Sequence, residues 1–319
     1  MGNTPHVTKI KKVARLLGYT TKTYKDGGVS SITVKISDPN SKKLLIVSPK
    51  DTGFYPDTLR WFKTLANSKI LSEQILRDLG YNPIKSVFFT DYTESKPALT
   101  TKIKKLTRFP YVLKPEEGNK GKGIVIAANE SELLKHTQKF YREKRQFMAQ
   151  PLVLGTEYRI LVISGKVQVA HAKEFPSVTA DGKQTVRSLI KAASYPIDKN
   201  FLKTFLRAEQ LKETDIPEKG VKIPIHITRK GGALYYSNLN PTKQSVPKHI
   251  QKWGTQLAKA LSTKTLGVDV FMPDDATSID SAIIIEINAS PGFIYLEKRY
   301  KDKITVDEIC KKMLRAYFS

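Results

Sequence analysis

A chain of 319 residues with 40% hydrophobic content is long enough for a large core and for two or three lobes. Its 54 Lys and Arg against 30 Asp and Glu leave a formal charge of +24, which attracts nucleic acid, nucleotide, acidic peptide or anionic lipid without choosing among them. Cys310 stands alone, which excludes an internal disulfide and suits a reducing compartment; no apolar run reaches membrane-spanning length, MGNTPHVTKIKK holds no apolar signal core, and His6 breaks the myristoylation pattern, so the expectation is a cytoplasmic protein.

In chain order, residues 7–18 (VTKIKKVARLLG) carry Val7, Ile10, Val13 and Leu16 or Leu17 at helical spacing. Residues 31–36 and 44–47 read as strands, joined by a turn at Asp38, Pro39 and Asn40. This predicts a small mixed lobe over residues 1–66. The pattern turns helical again from Pro56. LANSKILSEQILRDLGYNP predicts a helix capped by Asn67 or Ser68 and stopped at Gly80, with an apolar stripe at Ile70, Leu71, Ile75 and Leu79. Lys69 falls in its first turn, where a cation opposes the helix dipole, so its placement asks for another reason.

The stretch FPYVLKPEEGNKGKGIVIA, residues 109–127, reads as a hairpin. An apolar strand (Tyr111, Val112, Leu113) ends in Lys114, a loop carries Gly118, Gly121 and Gly123, and a second strand runs over 124–127. Glycine backbone can approach a ligand closely and cradle phosphate oxygens, while Lys114 and Lys120 or Lys122 add positive charge. A nucleotide site is the first reading, though a Lys-rich solvated turn would look the same. It is not a Walker loop, because Gly123 is followed by Ile124 and Val125 and leads into a strand.

Beyond it, SELLKHTQKFYREK predicts a helix capped by Asn129 or Ser131. A short strand follows, then a linker over 151–155 and two longer strands turning at Ser164 and Gly165. Residues 185–193, 246–263 and 305–317 read as helices. VKIPIHITRKGGALYYSNLN and GVDVFMPDDATSIDSAIIIEINASPG read as strand pairs.

The second of these pairs carries chemistry. The two-residue period of a strand puts Asp269 on the face opposite Val268 and Val270, and Glu286 with Asn288 opposite Ile285 and Ile287. With a turn at Pro273, Asp274 and Asp275, antiparallel pairing brings three oxygen-bearing side chains onto one surface. Carboxylates inside strands this apolar are costly unless a cation accompanies them, and an all-oxygen set suits magnesium. The polar outer face of an edge hairpin is the plainer alternative.

At these residues the chain resembles the ATP-grasp ligases. The resembling segments are ANSKILSEQILRDLGYNP, FPYVLKPEEGNKGKGIVI, QPLVLGTEYRILVISGKV, FPSVTADGKQTVRSLI and GVDVFMPDD with IIIEINASPGF, in family order over residues 67–293. Within the family the likeness is to the glutathione synthetase module of fused bacterial enzymes and the ATP-dependent half of cyanophycin synthetase. The fold implied is α+β: two lobes clamping ATP, with a lid subdomain over 67–148, a C-terminal subdomain over 149–319 and the small N-terminal lobe.

The resemblance implies ATP, with two magnesium ions or manganese in their place, as cofactors. Lys69 and Lys114 would hold the phosphates, Gly118, Lys120, Gly121, Lys122 and Gly123 would form a lid, and Glu157 would bind ribose. Gln150 stands where relatives usually have Glu facing the adenine amino group; its amide oxygen can still accept that bond. The hinge would use the Pro151 carbonyl and the Val153 N–H, so the proline removes no needed donor. Asp269, Glu286 and Asn288 match the metal ligands. Arg159, Arg229 and Lys114 match catalytic cations, although Ile227 or His226 falls where close relatives place Asn, and Glu174 where many have Arg. These departures lie on the acceptor side.

The activity implied is an ADP-forming carbon–nitrogen ligase that joins a small-molecule or peptide carboxylate to an amine through an acylphosphate, acting as an oligomer of identical chains. A basic nucleic-acid-binding protein is the rival, but no zinc spacing, RNP-like strand or basic helix interleaved with aromatics supports it. A non-catalytic nucleotide-binding module is a third reading. None of the histidines (His6, His136, His171, His226, His249) has a triad-like or metal-ligand spacing.

Overall fold

The computed structural model describes residues 5–26, 29–47, 58–106, 109–116, 123–153, 156–227, 230–272 and 282–319. The elements begin with α1 (Pro5–Leu16), β1 (Thr20–Asp26), β2 (Val29–Ser37), β3 (Leu44–Val47), α2 (Arg60–Asn67) and α3 (Lys69–Asp78). Next come β4 (Val87–Phe89), α4 (Lys96–Lys104), β5 (Tyr111–Pro115), β6 (Val125–Ala127), α5 (Glu130–Arg142) and β7 (Phe147–Pro151). After β8 (Glu157–Ile163) and β9 (Lys166–Glu174) follow β10 (Ser177–Thr179), α6 (Val186–Lys191), α7 (Lys199–Ala208) and β11 (Lys222–Pro224). The chain closes with β12 (Lys230–Ser237), α8 (Lys248–Ala260), β13 (Leu266–Phe271), β14 (Ile283–Asn288), α9 (Tyr295–Tyr300) and α10 (Lys303–Phe318). Among the described residues no helix is long and apolar enough to cross a membrane.

The elements group into two compact units, each assembled from separate stretches of chain. The first comprises Met1–Asn82, Glu157–Ala172 and Gly231–Ser319. Its main sheet has the order β12-β9-β8-β13-β14, with β13 antiparallel to both β8 and β14. One face is covered by α2, α3 and α8, through Phe62, Leu65, Leu76, Trp253 and Leu257 packed on Tyr158, Ile160, Val162, Val268 and Val270. Trp253 is 1% exposed, and truncation to Ala would cost roughly 3–5 kcal/mol. On the other face Leu161, Ile163 and Val169 join the core made by α1, α10 and the inner side of the β1-β2-β3 sheet. That second cover is incomplete. The start of β8 and its partners on β13 and β14 carry polar side chains there instead, and they form the candidate site.

The second unit comprises Pro83–Thr156 and Lys173–Lys230. Its four-stranded sheet has the order β4-β7-β5-β6 and packs with α4 and α5 around Phe89, Leu113, Leu133, Phe140 and Phe147. A smaller core gathers α6, α7 and the β10-β11 pair around Phe205 and Ile223. Asn129 caps α5 by accepting the Glu132 N–H at 3.0 Å, while Glu130 and Glu132 in its first turn complement the helix dipole.

In α1, Val7, Ile10 and Val13 are buried as the spacing requires, and of the two leucines it offered next, Leu17 packs on the core while Leu16 is 66% exposed. Three expectations change. Ser68 does cap α3, accepting the Leu71 N–H at 3.3 Å, yet the helix buries Ser72, Glu73 and Leu76 and leaves Leu71, Ile75 and Leu79 exposed. Ser72 Oγ donates to the Leu65 carbonyl at 2.8 Å, and this contact with α2 turns the predicted stripe outward. The strands of VKIPIHITRKGGALYYSNLN do not pair with each other: β11 pairs with β10, whereas β12 forms an end of the five-stranded sheet. Finally, β14 carries a bulge. Asp269 is opposite Glu286 but Val270 is opposite Ile284, so Ile284 rather than Ile285 joins Ile287 in the core.

Candidate functional site

The first unit sets five polar side chains on one face of β8, β13 and β14. Register fixes them: Glu157 pairs with Phe271, Arg159 with Asp269, Asp269 with Glu286, and Gly267 with Asn288. Side chains two residues apart on a strand share a face, so Glu157, Arg159, Asp269, Glu286 and Asn288 are gathered together. The bulge lets Glu286 and Asn288 stay on this side while Ile284 and Ile287 stay in the core. Gly267 is required beside Asn288. A Cβ there would meet the Pro291 Cβ at 2.5 Å and the Asn288 Cβ at 3.5 Å.

Electrostatics follows from burial. Asp269 is 3% exposed and Glu157 6%. Arg159 forks onto Asp269, with Nε donating to Oδ1 and Nη2 to Oδ2 at 2.6 Å. Burial alone would lower the Arg159 pKa, but the Asp269 carboxylate, with help from Tyr295 and Glu286, overrides it and drives the pKa up. Asn288 Nδ2 is buried with no hydrogen-bond partner among the described residues.

Two carboxylates, Asp269 and Glu286, with an amide, Asn288, whose Nδ2 is orphaned, suit a hard cation with an anion beside it, and Arg159 neutralises the Asp269 carboxylate by an internal route. Among the described residues no cluster of three or more His, Cys, Asp and Glu side chains stands in metal-binding range. The fitting set is two carboxylates and an amide.

In the second unit, β5 and β6 pair antiparallel with Tyr111 opposite Ala127 and Leu113 opposite Val125, as the hairpin reading expects. Lys114 on β5 lies opposite Met148 of β7. Gly123 takes φ +75°, and a Cβ there would meet the Arg145 Nη2 at 2.9 Å. Gly118, Lys120, Gly121 and Lys122 lie outside the described residues, as does Arg229. Gln150 on β7 is 4% exposed. Its Nε2 donates to Ser86 Oγ at 2.9 Å, and its Oε1 is buried without a partner. An oriented amide thus keeps one acceptor open, which is what an exocyclic amino group would need. Pro151 ends β7 and Val153 follows it, both partly buried. Lys69 opens α3 in the first unit, partly buried.

Sequence reasoning passed over one cluster. His171 on β9 is 3% exposed, with Nε2 at 2.6 Å from the Tyr295 hydroxyl and Nδ1 at 3.1 Å from the Tyr300 hydroxyl. The ring of Tyr300 stacks on Tyr235, whose hydroxyl donates to Asp302 Oδ2 at 2.6 Å. Burial raises the Tyr295 pKa; Arg159 pulls it down and Asp269 pushes it up, so this hydroxyl feels both members of the ion pair. The one available signal was a polar residue inside the apolar run VQVAHA.

Helices layered on a five-stranded sheet that carries acidic side chains on β13 and β14, together with the four-stranded sheet of the second unit, make an α+β fold of the ATP-grasp kind. No family model matches the chain. It is similar to cyanophycin synthetase of Crocosphaera subtropica, 27% identical over 254 residues, covering 72% of this chain and 28% of that one. It is also similar to the bifunctional glutathione biosynthesis protein of Enterococcus faecalis, 25% identical over 248 residues, covering 72% and 32%. Among solved structures, the bifunctional glutathione synthetase from Pasteurella multocida superposes with a TM-score of 0.53 at 17% identity, over 97% of this chain and 44% of that one. The chain therefore spans about a third or less of the length of these two sequence relatives.

Proposed function

We propose that this chain is an ATP-dependent carboxylate–amine ligase that forms a peptide or isopeptide bond on an amino-acid or peptide substrate. The observation that carries the reading is the convergence of Asp269, Glu286 and Asn288 on one sheet face with Arg159 already paired to Asp269. Similarity to cyanophycin synthetase and to the bifunctional glutathione biosynthesis protein supports it. In this reading Asp269, Glu286 and Asn288 hold magnesium. When bound, the metal spreads the negative charge of the nucleotide phosphates.

The remaining roles belong to this chain's own groups. Gln150 Oε1 accepts from the adenine amino group, the hinge at Pro151 and Val153 offers a carbonyl and an N–H, and Glu157 takes ribose hydroxyls. Lys69 and Lys114 neutralise phosphate oxygens, with Gly118, Lys120, Gly121, Lys122 and Gly123 closing over them to exclude water. A substrate carboxylate oxygen attacks the γ-phosphorus and ADP leaves. An amine then attacks the acylphosphate carbon, phosphate leaves, and the amine proton passes to solvent. Arg159 steadies the transferred phosphoryl group, and Arg229 belongs with the acceptor.

The test is phosphate release from ATP and magnesium, screened over single amino acids, dipeptides and acidic polypeptides. Release should depend on both a carboxylate and an amine, and Glu286→Gln and Asn288→Ala should each abolish it while leaving the far-UV spectrum unchanged. Wild-type release by either folded variant would remove the metal assignment. Absence of release with every pair, alongside tight ATP binding, would favour a nucleotide-binding module.

A further inference from the structure

The small sheet β1-β2-β3 in the first unit has an inner face on the core and an outer face in water. Inward, Val34, Ile36, Leu45 and Val47 are buried, and α1 reaches the same side, where Lys11 Nζ donates to Thr23 Oγ1 at 2.6 Å and Arg15 Nε to Thr21 Oγ1 at 2.9 Å. Outward, by the two-residue period, stand Thr20, Lys22 and Tyr24, then Thr33, Lys35 and Ser37, then Leu44 and Ile46.

This face has a composition that stability does not explain. Lys22 lies directly opposite Lys35, and like charges at opposed positions destabilise an antiparallel pair. No Asp or Glu occupies the face among its described side chains. Over residues 5–47 the sequence has nine Lys and Arg against two Asp, and Asp38 is engaged in its own turn, accepting the Asn40 N–H at 2.9 Å. Next to the lysine row, Ile46 is 49% exposed and Leu44 48%, with Tyr24 at 43% carrying the Lys22 ammonium 5.4 Å from its ring centroid.

We propose that this face docks an acidic polypeptide segment that carries aliphatic side chains among its carboxylates. The opposed Lys22 and Lys35 supply the charge complement and the Leu44–Ile46 strip supplies the apolar one. A nucleic-acid strand fits less well: such strands stack successive bases on several aromatic rings, and here Tyr24 is the single ring on the face among the described residues. Extension of the sheet by an added strand is also disfavoured at Leu44, because the Tyr317 hydroxyl donates to the Leu44 carbonyl at 2.6 Å. The proposed partner lies across the face, where the two lysines and the apolar strip stand together. This inference stands apart from the ligase reading, since binding is read without ATP.

The experiment is fluorescence anisotropy with a labelled Glu- and Leu-containing peptide, on the full chain in chelator at low and at physiological salt. The variant Lys22→Glu with Lys35→Glu should weaken binding by about tenfold or more, equivalent to ~1.4 kcal/mol. Lys252→Glu with Lys259→Glu, two exposed α8 positions giving the same change in net charge, should leave it within about twofold. Leu44→Ser with Ile46→Ser should weaken it without changing charge. Lys22→Gln with Lys35→Gln guards against misfolding: it should also lose affinity while its melting temperature holds or rises, because the opposed charges are gone. Equal losses from the face and from α8 would assign the binding to the general charge of +24 and overturn the proposal. Tighter binding of an unstructured oligonucleotide than of the peptide would overturn it too.

Discussion

Arg159 and Asp269 offer a direct test of how the site holds its charge without a ligand. The Asp269 side chain is 5% exposed and that of Arg159 19%, so the two are not equally able to reach water. With Arg159→Met the carboxylate is stranded, and breaking a buried pair in this way costs about 3–5 kcal/mol. Protonation limits the loss. Neutralising a carboxylate of ordinary pKa at pH 7 costs about 4 kcal/mol, so Arg159→Met should cost roughly 3–4 kcal/mol. With Asp269→Leu the guanidinium can tilt into solvent, and about 1–3 kcal/mol is expected. The double variant removes both desolvation penalties and should lie within ~1 kcal/mol of wild type. Urea unfolding followed by far-UV circular dichroism, in chelator, gives all four corners of the cycle. Added magnesium should then stabilise Arg159→Met more than wild type, because the ion replaces the missing cation. Losses that add to within ~0.5 kcal/mol would refute the coupling, and magnesium indifference of Arg159→Met would refute the metal reading.

Gln150→Glu should keep or tighten ATP affinity in titration calorimetry, since a carboxylate oxygen accepts as the amide does and Ser86 can turn its hydroxyl to donate; a large loss would mean that the amide donates to the base. His171→Phe removes a hydrogen-bond partner from the Tyr295 hydroxyl and one from Tyr300 and should cost roughly 1–3 kcal/mol in urea unfolding, whereas Tyr295→Phe, which leaves the histidine its bond with Tyr300, should cost less. The pH profile of stability should carry an Asp302 component. Burial opposes its charge, but bonds from Thr305, Tyr235 and Asn240 outweigh this and hold its pKa below the usual carboxylate range. A depressed folded pKa gives stability that is complete above roughly pH 4 and is lost as pH falls below it. Melting curves should therefore show Asp302→Asn losing least against wild type at the acid end, and an equal loss at every pH would contradict the assignment.

What could be read from the sequence was local or periodic. The oxygen set was visible because strands alternate, and neither Asp269 nor Glu286 needs more than its neighbours to declare its face. Helix caps were readable for the same reason: Asn129 and Ser68 act within three residues of themselves. The stripe on α3 misled because periodicity says which residues share a face but not which face finds a partner. Leu71, Ile75 and Leu79 do share one; the contact from Ser72 to α2 turned it outward.

The bulge on β14 shows the limit most plainly. A strict period of two predicts that Ile285 and Ile287 face the core together, and the inserted residue breaks that rule between Val270 and Asp269 without any glycine or proline to announce it. The extra residue, Ile285, leaves Glu286 opposite Asp269, which itself faces Arg159, and sets Ile284 opposite Val270 in the core beneath α8. The His171 cluster was hidden for a related reason: Tyr295 and Tyr300 stand 124 and 129 positions away along the chain. A buried imidazole with both nitrogens engaged looks, in one dimension, like any polar residue in a strand. Only the close approach of α9 to β9 makes it a neighbour of the charged pair.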